Sequence, residues 1–356
     1  MDPNIVLVSQ RQGGHALASG YDRLQEYLDC RLIRPPARWN LAQRAAARVL
    51  QPVMRRSGSR WYHRSSLIGE IGAAREWLRG NRQVFHFLYG ENSYRYLGLM
   101  KALAAGNRIV CTYHTPPAKF RQVVTDRRHI ERLDAAIVVS TVQLEFFAGI
   151  LGRERVFFVP HGIDVDYFTP AARDADAPRG FRCLFVGSHL RDIATLAQAA
   201  RLLAVEPDVR LVAVTRPANH AALAALDNVE VRSGLDDAQL LRAYQDADLL
   251  VLPLLDATAN NSLLEAMACG LPIVSTDLPG VRDYVDAGCA VLTPMADAPA
   301  LADAIVALKR DGARRARMAQ ASRERAIDLS WESVARQTLE VYRAAGLQTE
   351  SGRETR

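Results

Sequence analysis

The stretch Asn260-Asn261-Ser262-Leu263-Leu264-Glu265-Ala266-Met267-Ala268-Cys269-Gly270-Leu271-Pro272 holds the densest set of residues able to do chemistry. It follows the apolar run 249–252, so it reads as strand, polar loop, helix ending at Gly270, then another strand. Backbone N–H groups at that helix start, near Ser262 and Leu263, carry the positive end of a helix dipole and suit a diphosphate. Glu265, one turn in, is spaced to accept hydrogen bonds from the two hydroxyls of a ribose. The same residues also spell a capping box, Ser262-x-x-Glu265, which needs no ligand. Both readings stand on the residues alone. A second candidate is Gly13-Gly14 after the first apolar run, where a backbone without side chains can approach a phosphate or a sugar, or simply turn. It is not G-x-G-x-x-G, which removes the main support for a dehydrogenase.

The elements that must position these residues follow from periodicity. Short β-branched runs alternate with helical patterns, the signature of parallel sheets covered by helices. Strands are expected at 5–8, 84–88, 108–113, 135–140 and 156–159, then in a second series at 182–186, 209–214, 229–231, 248–252, 272–275 and 290–292. Beyond 292 the pattern is helical, at 300–310, 313–328 and 331–345. The segment 169–180, rich in Pro, Ala, Asp and Gly, reads as a linker. The fold expected is α/β, two Rossmann-like doubly wound domains over 1–165 and 166–330. A helix over 331–345 returns to the first domain, and a tail follows from 346. Ligands of such sheets bind at the carboxyl ends of the strands, so a cleft facing both domains is the expected active site. That topology assigns Tyr89, Glu91 and Arg95, after the strand at 84–88, to an acceptor side.

Composition narrows the class. A chain of 356 residues, 49% hydrophobic and 24% charged, is an ordinary globular protein with room for two or three cores. Five widely separated cysteines without a C-x-x-C pair argue against a metal knuckle or disulfide framework and fit free thiols in a cytoplasmic setting. No signal-peptide pattern opens the chain, and no apolar run is long enough to span a bilayer. Charge is uneven: residues 31–82 hold twelve Arg, no Lys and only Glu70 and Glu76, in a chain of formal net charge +6. Trp39, Ala42, Ala46, Val49, Leu50 and Val53 recur there at helical spacing up to a break near Pro52. This basic amphipathic pattern fits a helix lying on an anionic inner-membrane face, and equally a core-packing helix with a solvated Arg face. Without a nucleic-acid-binding module, the patch is not assigned to nucleic acid.

The stretch Leu235-Asp236-Asp237-Ala238-Gln239-Leu240-Leu241-Arg242-Ala243-Tyr244-Gln245-Asp246-Ala247-Asp248-Leu249-Leu250-Val251-Leu252-Pro253, followed by Leu264-Glu265-Ala266-Met267-Ala268-Cys269-Gly270-Leu271-Pro272-Ile273-Val274, resembles the C-terminal half of retaining glycosyltransferases of family 4, the group 1 enzymes with the GT-B fold. Val159-Pro160-His161-Gly162-Ile163-Asp164-Val165-Asp166-Tyr167-Phe168 resembles that family's interdomain signature. The resemblance implies transfer of a hexose from a nucleotide sugar, UDP- or GDP-linked, with configuration retained and with no metal or cofactor. Glu265 falls on the second carboxylate of the family's E-x7-E motif. The first falls on Ala257, so recognition of the donor sugar passes to Asp256, Asn260 or Asn261, whose amides or carboxylate suit hydroxyls.

The family's cations after the strand ending Phe185-Val186-Gly187 are replaced by a shorter loop, Ser188-His189-Leu190-Arg191-Asp192. Arg191 is the candidate for the lost cation on the departing diphosphate, with Ser188 and His189 beside it. His114 sits where the family has a histidine near the reacting sugar. Asp164-Val165-Asp166, at the crossover, is read as structural rather than as a D-x-D metal motif. The expectation is a bacterial-type glycosyltransferase that acts on a lipid-linked or polysaccharide acceptor. A nucleotide-sugar epimerase and a non-catalytic nucleotide-sugar-binding partner are its rivals.

Overall fold

The computed structural model describes residues 4–9, 18–35, 50–171 and 180–347. Two six-stranded sheets organise them, and every pairing within each sheet is parallel. The first contains β1 (Ile5–Val8), β2 (Arg31–Ile33), β3 (Val84–Phe87), β4 (Arg108–Tyr113), β5 (Ala135–Val138) and β6 (Val156–Phe158) in the order 2-1-3-4-5-6. The second contains β7 (Phe181–Val186), β8 (Val209–Val214), β9 (Val229–Arg232), β10 (Leu249–Leu252), β11 (Ile273–Thr276) and β12 (Ala290–Thr293) in the order 12-11-10-7-8-9. The α-helices of two turns or more among the described residues are α1 (Arg64–Arg79), α2 (Leu144–Leu151), α3 (Ile193–Leu202), α4 (Asp237–Asp246), α5 (Asn261–Ala268), α6 (Ala298–Arg310), α7 (Gly312–Asp328) and α8 (Trp331–Ala344). None is long and apolar enough to cross a membrane. This is the two-domain, doubly wound α/β architecture expected.

The chain divides into two units. One holds β1, Gly20–His161 and the chain from Trp331 onward; the other holds Ala18, Ser19 and Gly162–Ser330. The crossing therefore lies at 161/162 rather than at the expected 165/166, and before the stretch 169–180 taken for a linker. Packing explains this: Ile163 N donates to Leu329 O (3.0 Å), and Phe168 is fully buried in the second unit's core. Residues 172–179 of that stretch lie outside the described residues, as do Trp39, Ala42, Ala46 and Val49 of the amphipathic pattern. Pro52 occupies the first turn of a short helix, Gln51–Arg55, where its missing N–H costs nothing, and the residues preceding Leu50, on which the expected break depends, lie outside the described residues. Strand β2 had no apolar signal because it is a half-exposed edge strand of three residues.

In the first unit, alternate residues of β3 serve opposite faces of the sheet. Phe85 and Phe87 enter a core with Trp77, Tyr94, Tyr113, Phe120 and Phe147. On the other face His86 Nδ1 lies 2.6 Å from Tyr342 Oη of α8, and Nε2 lies 2.7 Å from Thr112 Oγ1. Burial pushes the His86 pKa down to about 3, so this seat for α8 is neutral. In the second unit the strands feed two cores, Cys183, Phe185, Leu249 and Val251 on one face and Leu184, Val186, Leu250 and Leu252 on the other. Helices cover both faces, which is why these strands read as continuous apolar runs.

One buried carboxylate fixes the turn after β3. Glu70 on α1, 3% exposed, accepts the N–H groups of Arg95 (2.9 Å), Tyr96 (2.5 Å) and Leu97 (2.8 Å) on Oε1 and the Tyr62 hydroxyl (2.6 Å) on Oε2. It thus caps the 3-10 helix Leu97–Leu103 from another element. Removing it strands several buried donors, so Glu70→Ala should lower unfolding free energy by about 3 kcal/mol or more in urea titrations. A loss below about 1 kcal/mol would mean that water satisfies these donors.

Candidate functional site

The order of the second sheet reverses between β7 and β10, so the loops leaving these two strands flank its topological switch point. The loop after β7 supplies Arg191 and the loop after β10 leads into α5. Asn260, not Ser262, is the N-cap of α5: its Oδ1 accepts from Leu263 N at 3.3 Å. The capping box Ser262-x-x-Glu265 is therefore not formed, and Glu265 is released from that explanation. Among the described residues, the N–H groups of Asn261 and Ser262 have no hydrogen-bond acceptor.

Arg191 is held tightly. Nε donates to Val186 O (2.9 Å), Nη1 to His189 O (3.0 Å), and Nη2 to both Asn260 Oδ1 (3.2 Å) and Ser262 Oγ (3.1 Å). Most of the fork expected to grip a phosphate is thus spent on the helix start and on carbonyls. What remains is its charge: burial lowers the pKa to about 10, which leaves it cationic. Gly187 makes the position possible. Its φ is +106°, and a Cβ there would come within 2.6 Å of Arg191 Nη2. Ser188 Oγ contacts Thr215 Oγ1 (3.0 Å) and accepts from Arg216 N (3.1 Å), tying this loop to the end of β8, while His189 is exposed.

Glu265 is 3% exposed. Tyr244 Oη of α4 donates to Oε2 at 2.6 Å, and Ser19 Oγ donates to Oε1. Burial raises its pKa; the two hydroxyls and the Arg191 charge oppose that rise and favour the carboxylate. Neither Ser19 nor Tyr244 was anticipated. Ser19 carries no signal in the sequence, but Tyr244 lies at a buried phase of an amphipathic helix, where a phenol needs a polar partner.

Ala257, the position of the missing carboxylate, is buried in the second unit's core. A Cβ on Gly280 would lie 2.2 Å from Ala257 O, so the short helix Pro279–Arg282 closes over this loop. Of the three proposed substitutes, Asn260 is committed to the cap and to Arg191, and Asp256 Oδ1 accepts from Ala257 N (2.8 Å). Asn261 is half-buried and makes no side-chain hydrogen bond among the described residues. Asp164 Oδ1 accepts from Asp166 N (3.2 Å) and Tyr167 N (2.9 Å), the structural role expected of it.

In the first unit His114 follows β4. Its Nε2 donates to Leu88 O at 2.8 Å, which makes Nδ1 the acceptor nitrogen, and burial lowers its pKa. Tyr21 and Tyr89 lie on its ring at centroid distances of 4.7 Å each, and Tyr21 also meets His161 and Trp331 edge-on. Glu91 Oε1 accepts from His114 N (3.0 Å) and Thr115 Oγ1 (2.8 Å). Its buried Oε2 has no partner among the described residues. Tyr89 and Glu91 are thus gathered around His114. Arg95 is drawn elsewhere: Nη1 donates to Asp126 O (3.1 Å) and lies 2.6 Å from His129 Nδ1. Gly13 and Gly14 lie outside the described residues.

Residues 180–311 match the family model described as Glycosyl transferases group 1. A phosphatidyl-myo-inositol mannosyltransferase of Mycobacterium leprae is 30% identical over 286 residues, 75% of this chain and 75% of that protein. An MMP alpha-(1->4)-mannosyltransferase of Mycolicibacterium hassiacum is 28% identical over 312 residues, covering 75% and 72%. Among solved structures, Anabaena HepE in complex with UDP aligns with a TM-score of 0.67 at 16% identity over 96% of this chain and 99% of that one, a likeness of fold. The alignment with the M. leprae enzyme extends well past the stretch matched by the family model, and the chain belongs to the group 1 glycosyltransferases, with the GT-B fold.

Proposed function

We propose that this glycosyltransferase moves a hexose from a UDP- or GDP-sugar to a lipid-linked or polysaccharide acceptor, with retained configuration and without a metal ion. The observation that carries the reading is the start of α5: N–H groups of Asn261 and Ser262 with no acceptor among the described residues, the Arg191 cation fixed to the same turn, and a buried carboxylate one turn on. Fixed donors and charge of this kind stabilise a departing diphosphate. Glu265 takes the ribose, and Asn261 replaces the missing carboxylate at the hexose hydroxyls. His114, neutral, accepts from a sugar hydroxyl through Nδ1. The acceptor oxygen bonds to the anomeric carbon on the face from which the phosphate oxygen leaves, and its proton passes to that phosphate. No cofactor enters. Two mannosyltransferases among the relatives, one named for a phosphatidyl-inositol, favour mannose and a lipid acceptor.

A lipid acceptor agrees with one surface of the first unit. Leu78 at the end of α1, and Leu99 and Leu103 on the 3-10 helix packed against α1, are 60%, 63% and 68% exposed. Arg64, Arg75, Arg79 and Arg82 on and after the same helix are exposed too. Apolar side chains among cations suit an anionic bilayer surface on the cytoplasmic side. The protein should therefore sediment with vesicles containing phosphatidylglycerol and not with pure phosphatidylcholine, and Leu99→Glu with Leu103→Glu should weaken this about tenfold. Equal sedimentation of the double variant would remove these leucines from the contact.

The direct test of the activity is nucleotide release from UDP-, GDP-, ADP- and dTDP-linked glucose and mannose, with and without membrane extract. One donor should release its nucleoside diphosphate only when extract is present. Binding without turnover would instead favour a non-catalytic nucleotide-sugar-binding partner, the reading motivated by Ala257. Conversion of the sugar while still attached to its nucleotide would indicate an epimerase.

A further inference from the structure

Glu265 is buried at a point where a carboxylate needs donors on both oxygens. Its Oε2 is met by Tyr244 Oη at 2.6 Å, from a side chain with no exposure, whose ring stands edge-on to Phe168 at 6.1 Å. Ser262 Oγ, on the same helix start as Glu265, accepts from Arg191 Nη2 at 3.1 Å. The group that faces the diphosphate and the group that faces the ribose are thus both anchored on the first turns of α5. Resting on the donor reading of Glu265 given above, we propose that Tyr244 is a positioning residue for donor binding: its hydroxyl fixes the Glu265 carboxylate in the orientation and ionisation state that accept the ribose. Burial and the neighbouring carboxylate keep the phenol protonated, so it remains a donor.

A phenol that merely fills the core would be replaced by phenylalanine with a change in stability only. The positioning role moves other quantities. The probe is UDP or GDP, whichever the wild-type protein binds more tightly by calorimetry. Tyr244→Phe should raise its Kd about tenfold, the scale of one hydrogen bond to a charged group, while kcat stays within about twofold. The acid limb of log(kcat/KM) should move to higher pH, because Glu265 loses a donor that favours its charged form. The charged and titratable groups facing Glu265 are Tyr244 and Asp237 of α4, Arg191 and Tyr167, with Arg323 of α7 on the Ala268 carbonyl of its own helix. None but Tyr244 is changed. Glu265→Gln should weaken binding more, and adding Tyr244→Phe to it should cost nothing further.

The outcomes separate two failures. Unchanged affinity in Glu265→Gln, or no binding of either nucleotide to wild type, overturns the donor reading together with this one. Weakened binding in Glu265→Gln with unchanged Kd and pH profile in Tyr244→Phe, whatever its melting temperature, overturns the positioning role alone. Additive losses in the double variant would do the same.

Discussion

A carboxylate withdrawn from water has to be met by hydrogen-bond donors, and each unit is arranged around one such demand. Glu70 meets it with three backbone N–H groups and a phenol. Glu265 meets it with two hydroxyls, from Ser19 and Tyr244. The chemistry of the donors sets the use of each site. Backbone N–H groups cannot leave without unwinding a turn, so Glu70 is a permanent fastening. A serine hydroxyl rotates away, and a ribose hydroxyl of the same kind can take its place.

Arg191 shows how a cation can be built into the start of a helix. Its N–H groups are used to bind the loop to the start of α5, so the cation is a fixed part of the helix terminus rather than a free fork. Its field still acts on whatever lies at the N–H groups of Asn261 and Ser262. Charge that is already oriented needs no rearrangement when a phosphate departs. Ala257, by contrast, is buried in the second unit's core, with Gly280 closely approaching its carbonyl.

Much of this was legible in the residues. Strand positions followed from β-branched runs, because strands covered on both faces leave continuous apolar segments, as in β7 and β10. The helix start followed from spacing, while spacing and resemblance singled out Glu265 and His114 as candidates. The errors have local causes. Strand β2 is too short and exposed to leave a pattern. The unit boundary came earlier because Ile163 and Phe168 pack into the second core. Arg95 looked available because sequence cannot reveal that His129 and the Asp126 carbonyl would claim it. Ser19 was invisible, since its contact spans 246 positions and depends on tertiary folding alone.

The seat of α8 also bears on how the molecule is made. β3 carries His86 and α8 carries Tyr342, 256 positions apart, with Gly162–Ser330 of the second unit encoded between them. On a ribosome, the first sheet emerges early but lacks the helix that packs on its His86 side until Gly162–Ser330 has been made. The second unit, continuous from Gly162 to Ser330 apart from Ala18 and Ser19, has nearly all its strands and helices available sooner. Until α8 arrives, His86 lacks the cover that holds its pKa down, so the nascent first unit carries an imidazole closer to its ordinary titration range.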